Sequence, residues 1–184
     1  MYDDVLEKIK RKNKILFNKD SCCLQNLQAL IAGQNHKTLI MWALDCAGQS
    51  LADFEFKYHS ELRPRKCLEM AEEWSKGNVK MPAAKQAILG SHAAAKEIDD
   101  AAYSALCHAI GHAGATVHVQ THALGLPFYG LTYIVLKYGE TNFPQHVDEK
   151  LQFYYDKLIY WENNISKINR KWADFLDKKP SSAK

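Results

Sequence analysis

From Asn35 to Phe175 the apolar residues of this chain recur at spacings of three and four. No two alternating segments flank a hairpin turn, and no strand–helix–strand alternation is visible. Leu39, Trp42, Ala43, Cys46, Ala47 and Phe54 fall on one stripe. Leu151, Tyr154, Tyr155, Leu158, Trp161, Ile165, Ile168, Trp172 and Phe175 fall on another. Gly and Pro together make 9 + 5 = 14 of 184 residues, too few for the turns of a many-stranded sandwich. The fold class expected is all-α: a compact bundle or stack of antiparallel helical hairpins, about seven to nine helices, with no substantial sheet.

Stop and start signals divide the pattern. An amphipathic helix within the first twenty residues, drawing on Val5, Leu6, Ile9, Ile15, Leu16 and Phe17, ends at Asn18-Lys19-Asp20-Ser21. Ser21 can cap a second helix that stops at Gly33. A long helix follows from Asn35 to Tyr58. Pro64 and Pro82 suit the first turns of the next two. Asp99 or Asp100 can cap the helix from Ala101 to about Gly114, which Val117 to Leu124 continues or restarts. Gly125-Leu126-Pro127 should kink or break the chain. Phe128 to Lys137 reads as buried helix, or as a strand by its Tyr133-Ile134-Val135 though no partner strand is visible, and Val147 to Leu176 as one long helix after Tyr138-Gly139-Glu140. The length fits one domain over residues 1–178, with N-terminal helices over 1–35 and the C-terminal helix at about 145–177 as flanking elements. Residues 179–184 read as a disordered tail.

Charge excludes more than it assigns. The net charge of +3, from 24 basic and 21 acidic residues, is weak for a nucleic-acid binder. No apolar run is long enough to cross a membrane, and Met1-Tyr2-Asp3-Asp4 leads into a charged stretch rather than a signal peptide. Five cysteines without a CxxC pair suggest reduced thiols and a cytoplasmic location. No nucleic-acid partner, membrane partner or cofactor is expected.

Five of the eight histidines lie within residues 92–122: His92, His108, His112, His118 and His122. Were 108–122 one helix, its ~100° per residue would place His112, His118 and His122 at about 40°, 280° and 320° from His108, on one arc of roughly 120°. His108, His112, His118 and His122 are then the candidate metal ligands. No Glu follows the first His of either i,i+4 pair, so the metalloprotease signature is incomplete and packing or a binding pocket is the preferred reading. Ala101, Ala105, Ala109 and Ala113 on the neighbouring arc permit close helix approach. Asp45 interrupts an apolar face and needs a partner, for which Arg63 or Arg65 is the candidate. Cys46, Cys67 and Cys107 read as core residues. Ser91-His92 and Cys107-His108 point apart on a helix and make no nucleophile–base pair. No phosphate loop and no nucleophile elbow is present.

Three segments together resemble a known family. They are Trp42-Ala43-Leu44-Asp45-Cys46-Ala47 with Phe54-Glu55; Arg63-Pro64-Arg65 running into Glu69-Met70-Ala71 and Trp74-Ser75-Lys76-Gly77; and the block Ser91-His92-Ala93-Ala94-Ala95-Lys96, Gly111-His112-Ala113, Val117-His118-Val119, His122-Ala123-Leu124-Gly125. In this order they are similar to the bacterial immunity proteins of the Imm-five-like type, over about residues 39–130. The resemblance implies an all-helical, non-enzymatic, cytoplasmic protein. Its partner would be a cognate toxin, whose active surface it covers. It carries over His92, His112, His118, His122, Asp45, Arg63 and Arg65 as positions that match the pattern. Two alternatives stay open: a metal-assisted hydrolase centred on the histidines, and a non-catalytic helical scaffold that forms a homodimer through the C-terminal helix.

Overall fold

The computed structural model describes residues 2–177; the expected tail at 179–184 lies outside them. Among the described residues there are eight α-helices, two short 3-10 turns and no strand, so the chain is all-α. The α-helices are α1 (Asp3–Lys10), α2 (Gln25–Ala32), α3 (His36–Lys57), α4 (Arg63–Ser75), α5 (Met81–Glu97), α6 (Ala101–Ala115), α7 (Gly125–Asn164) and α8 (Asp174–Asp177). The 3-10 turns are Cys22–Leu24 and Gln120–Leu124.

Local chemistry sets most boundaries. The Asn35 side chain accepts from the Thr38 amide at 3.0 Å and caps α3. Asp100 accepts from the Ala102 amide at 2.9 Å and caps α6. Pro64 and Pro82 sit in the first turns of α4 and α5, where a missing N–H costs nothing. Gly139, at φ 75°, is non-helical and splits α7 into 125–138 and 140–164. The second half doubles back on the first: a side-chain carbon on Gly130 would stand 2.2 Å from the Tyr154 hydroxyl.

Helix α6 is the hub. It packs against α3, α4, α5 and α7. Ala109 and Ala113 face a core built with Leu39, Trp42, Leu126 and Leu131. Ala105, Leu106, Cys107 and Ile110 face a second core with Phe54, Trp74, Ile88 and Tyr133. A helix buried on opposite sides must be thin, and alanines make it so.

Three expectations are corrected. The first helix ends at Lys10, and residues 11–19 cross the bundle as a strap. Its buried Leu16 and Phe17 anchor it, with the Leu16 amide donating to Thr132 Oγ1 at 3.0 Å. Helix α6 ends at Ala115, close to its expected bound, and the chain restarts as the 3-10 turn Gln120–Leu124, so 108–122 is not one helix. The C-terminal helix stops at Asn164, where the Asn163 and Asn164 side-chain amides donate back to the carbonyls of Ile159 and Tyr160. The chain then runs to Ala173, whose amide donates to Ser75 O at 2.9 Å, so Trp172 and Phe175 pack near α4 rather than along α7. Gly125-Leu126-Pro127 does not break a helix but opens α7.

Ala113 has no exposed surface. Ala113→Leu is expected to overpack the α6 seam and destabilise the fold by ~1–3 kcal/mol, read by urea denaturation. Wild-type stability would mean that this face is not tightly packed.

A half-buried histidine cluster

Four imidazoles from three elements meet beside α6. His92 comes from α5, His108 and His112 from α6, and His122 from the second 3-10 turn. His92 Nδ1 lies 2.8 Å from His108 Nδ1, and His122 Nδ1 lies 3.3 Å from His112 Nδ1. The His92 and His112 rings meet edge to face, with centroids 5.3 Å apart. Tyr129 of α7 closes the group, stacked on His112 at 5.2 Å and tilted against His108 at 4.9 Å.

Two glycines make room for these rings. A Cβ at Gly111 would stand 2.7 Å from the His92 ring, and one at Gly125 would stand 2.2 Å from His112 Cγ. Neither position admits a side chain unless its imidazole moves.

The pairing fixes protonation. When two Nδ1 atoms share a hydrogen, one ring carries Nδ1–H and the other carries its proton on Nε2. A second proton would bring two N–H groups face to face. Burial, with the neighbouring rings adding to it, pushes His92 and His112 down to about 4. Burial also lowers His108 and His122. The cluster is neutral at pH 7.

The other site residues named from sequence fall elsewhere. His118 lies past the end of α6, exposed, with its ring on Trp74 at 5.9 Å. The arc of four expected from one continuous helix therefore loses His118 and gains His92 from α5. Among the described residues, no three His, Cys, Asp or Glu side chains are grouped so as to hold a metal ion. Asp45 does not meet Arg63 or Arg65. It lies 57 − 45 = 12 residues before the end of α3, about 18 Å along the axis. Both arginines start α4, beside that end. Asp45 instead accepts from Lys157 at 3.0 Å and from Trp161 Nε1 at 2.9 Å, tying α3 to α7. Arg63 bridges Glu61 and Glu97, each at 2.6 Å, and Arg65 pairs with Glu55.

Sequence reasoning missed Tyr129 and the strap. Lys12, Asn13, Lys14 and Ile15 lie next to the cluster in space, about 80 to 110 residues from it in sequence. No local spacing signals such a contact. Two clefts flank the strap and share Asn13, Ile15 and Tyr129 in their walls. His108 faces one; His112 and His122 face the other.

The fold and site define an all-helical protein with a half-buried polar seam, whose histidines partner one another. Residues 29–159 match the model of the family described as "Imm-5 like putative immunity protein", and the chain belongs to that family. Comparison with curated proteins and with solved structures finds no match.

Two outcomes are expected. Unfolded imidazoles take up a proton near pH 6.5, whereas His92 and His112 in the folded chain do so only near pH 4. The stability they contribute is therefore whole above pH 6.5 and lost as pH falls towards 4. Denaturation at a series of pH values should show His112→Asn losing roughly 1–3 kcal/mol less than wild type across that window; parallel profiles would place His112 outside the buried pairs. Asp45→Ala leaves Lys157 and Trp161 Nε1 without their acceptor, and should cost about 1–2 kcal/mol in the same measurement. A neutral effect would show that this tie between α3 and α7 carries no stability.

Proposed function

We propose that this protein binds and neutralises a cognate bacterial toxin by covering its active surface, without chemistry of its own. The family match over residues 29–159 carries this reading. The side-chain chemistry supports it. The Ser91 hydroxyl donates to the Cys107 carbonyl at 2.8 Å and is turned away from His92. Burial pushes the Cys67 and Cys107 thiols up to about 12, far from the thiolate a nucleophile needs. The cluster imidazoles spend their Nδ1 atoms on one another. Among the described residues no helix is long and apolar enough to cross a membrane.

Stoichiometry tests the mechanism. A purified cognate toxin should lose activity in proportion to added protein and reach zero at an equimolar amount. Co-expression should restore growth to cells that make the toxin. Continued growth arrest with the folded chain present would contradict the immunity role. Inactivation by a small fraction of an equivalent would replace occlusion with an enzymatic mode of protection.

A further inference from the structure

The cleft between the strap, the C-terminal end of α5, the start of α6 and α7 has a volume of about 550 Å³, within the roughly 300–1,000 Å³ range of ligand pockets. Lys12, Lys14 and Lys96 surround it, opposed by Asp99 alone. All three lysines are exposed, and among the described residues none of them forms an ion pair. Lys8, Lys37, Lys57, Lys76 and Lys157 are each engaged with a carboxylate. The cleft thus gathers positive charge that the fold itself does not neutralise.

Its floor and rim are of another kind. Tyr129 is held on its ring faces by His108 and His112, and its hydroxyl donates to no described residue. A phenol is protonated at neutral pH and can donate, and burial shifts this one further from ionising. Ile15 and Leu136 line the cleft and stay 40% and 42% exposed, apolar surface that the fold leaves in water.

We infer that this cleft binds a short acidic segment of the partner protein, its carboxylates on Lys12, Lys14 and Lys96 and one apolar side chain between Ile15 and Leu136 over Tyr129. The inference rests on the immunity reading for the partner's being a protein. A peptide fits better than a phosphate ligand because no arginine lines the cleft to grip phosphate in two-pronged fashion, and because the apolar rim has a use. Fixed donors on a rigid ring also reduce the ordering cost of binding. Lysine–carboxylate attraction would speed the encounter.

A fluorescein-labelled, end-blocked peptide Asp-Glu-Phe-Asp-Glu is the probe, read by fluorescence polarisation with the full-length chain. Saturable binding that weakens with salt is expected, with no binding of the neutral counterpart Asn-Gln-Phe-Asn-Gln. The variant Lys12→Gln/Lys14→Gln/Lys96→Gln should bind about tenfold more weakly, with its melting temperature as the check on folding. Lys96→Gln alone, away from the strap, should show a smaller loss. Absence of binding, equal binding of the neutral peptide, or equal binding by the triple variant overturns the inference. Displacement of the peptide by ATP at lower concentration than by unlabelled peptide overturns it in favour of a phosphate ligand. The toxin assay separates the two claims. If wild type and triple variant protect equally, the cleft is not the docking site and the immunity role stands. If wild type fails to protect, the immunity role falls while the titration still decides whether the cleft takes acidic peptide.

Discussion

Close approach along α6 is the constraint on which the rest depends. Ala109 and Ala113 on one side, and Ala105, Cys107 and Ile110 on the other, belong to two different cores. Only a helix of small side chains can be buried that fully while four other helices close on it. The consequence for the histidines is direct. Once α5 and α7 close on α6, His108 and His112 are drawn partly under them, and the imidazole nitrogens that lose water need other partners. They are satisfied by each other and by His92 and His122, with Gly111 and Gly125 leaving space for the rings.

A cluster of this kind works only while it is uncharged. Each Nδ1–Nδ1 contact accommodates one hydrogen and repels a second. The physical cost of a second proton is the reason that burial and proximity both act to lower the same groups. The seam is thus a polar core element held neutral at pH 7. Its outer wall is Tyr129 and the strap, which brings Lys12 and Lys14 beside Lys96. The Tyr129 ring packs on His108 and His112 and lines the clefts on both sides of the strap.

Much of this was legible in the residues, for reasons that differ element by element. Asn35, Asp100, Pro64 and Pro82 act on their own neighbours, so the helix starts they mark can be read locally. The burial of Ala109 and Ala113 follows from helical spacing, and so does the presence of His108 and His112 on one face. What fails is every inference that needed the chain's path in space. His118 left the group because α6 ends three residues earlier, and His92 joined it because α5 lies alongside. Asp45 found Lys157 and Trp161 rather than an arginine because the long α7 doubles back over α3. Leu16 and Phe17 have helical spacing yet anchor an extended strap, since a tertiary contact through Thr132 outweighs local propensity. The family resemblance, carried by scattered short motifs, is met by a match that runs well beyond the segment 39–130 in both directions.

The central claim is that four imidazoles pair as neutral rings inside this fold, and nitrogen-15 NMR of the histidine side chains tests it most directly. The account predicts that at pH 7 His92, His108, His112 and His122 are neutral, with one Nδ1–H tautomer and one Nε2–H tautomer in each pair. It also predicts that His92 and His112 titrate near pH 4. Four rings titrating together near pH 6.5, with mixed tautomers, would contradict it and show that the histidines stand apart in water.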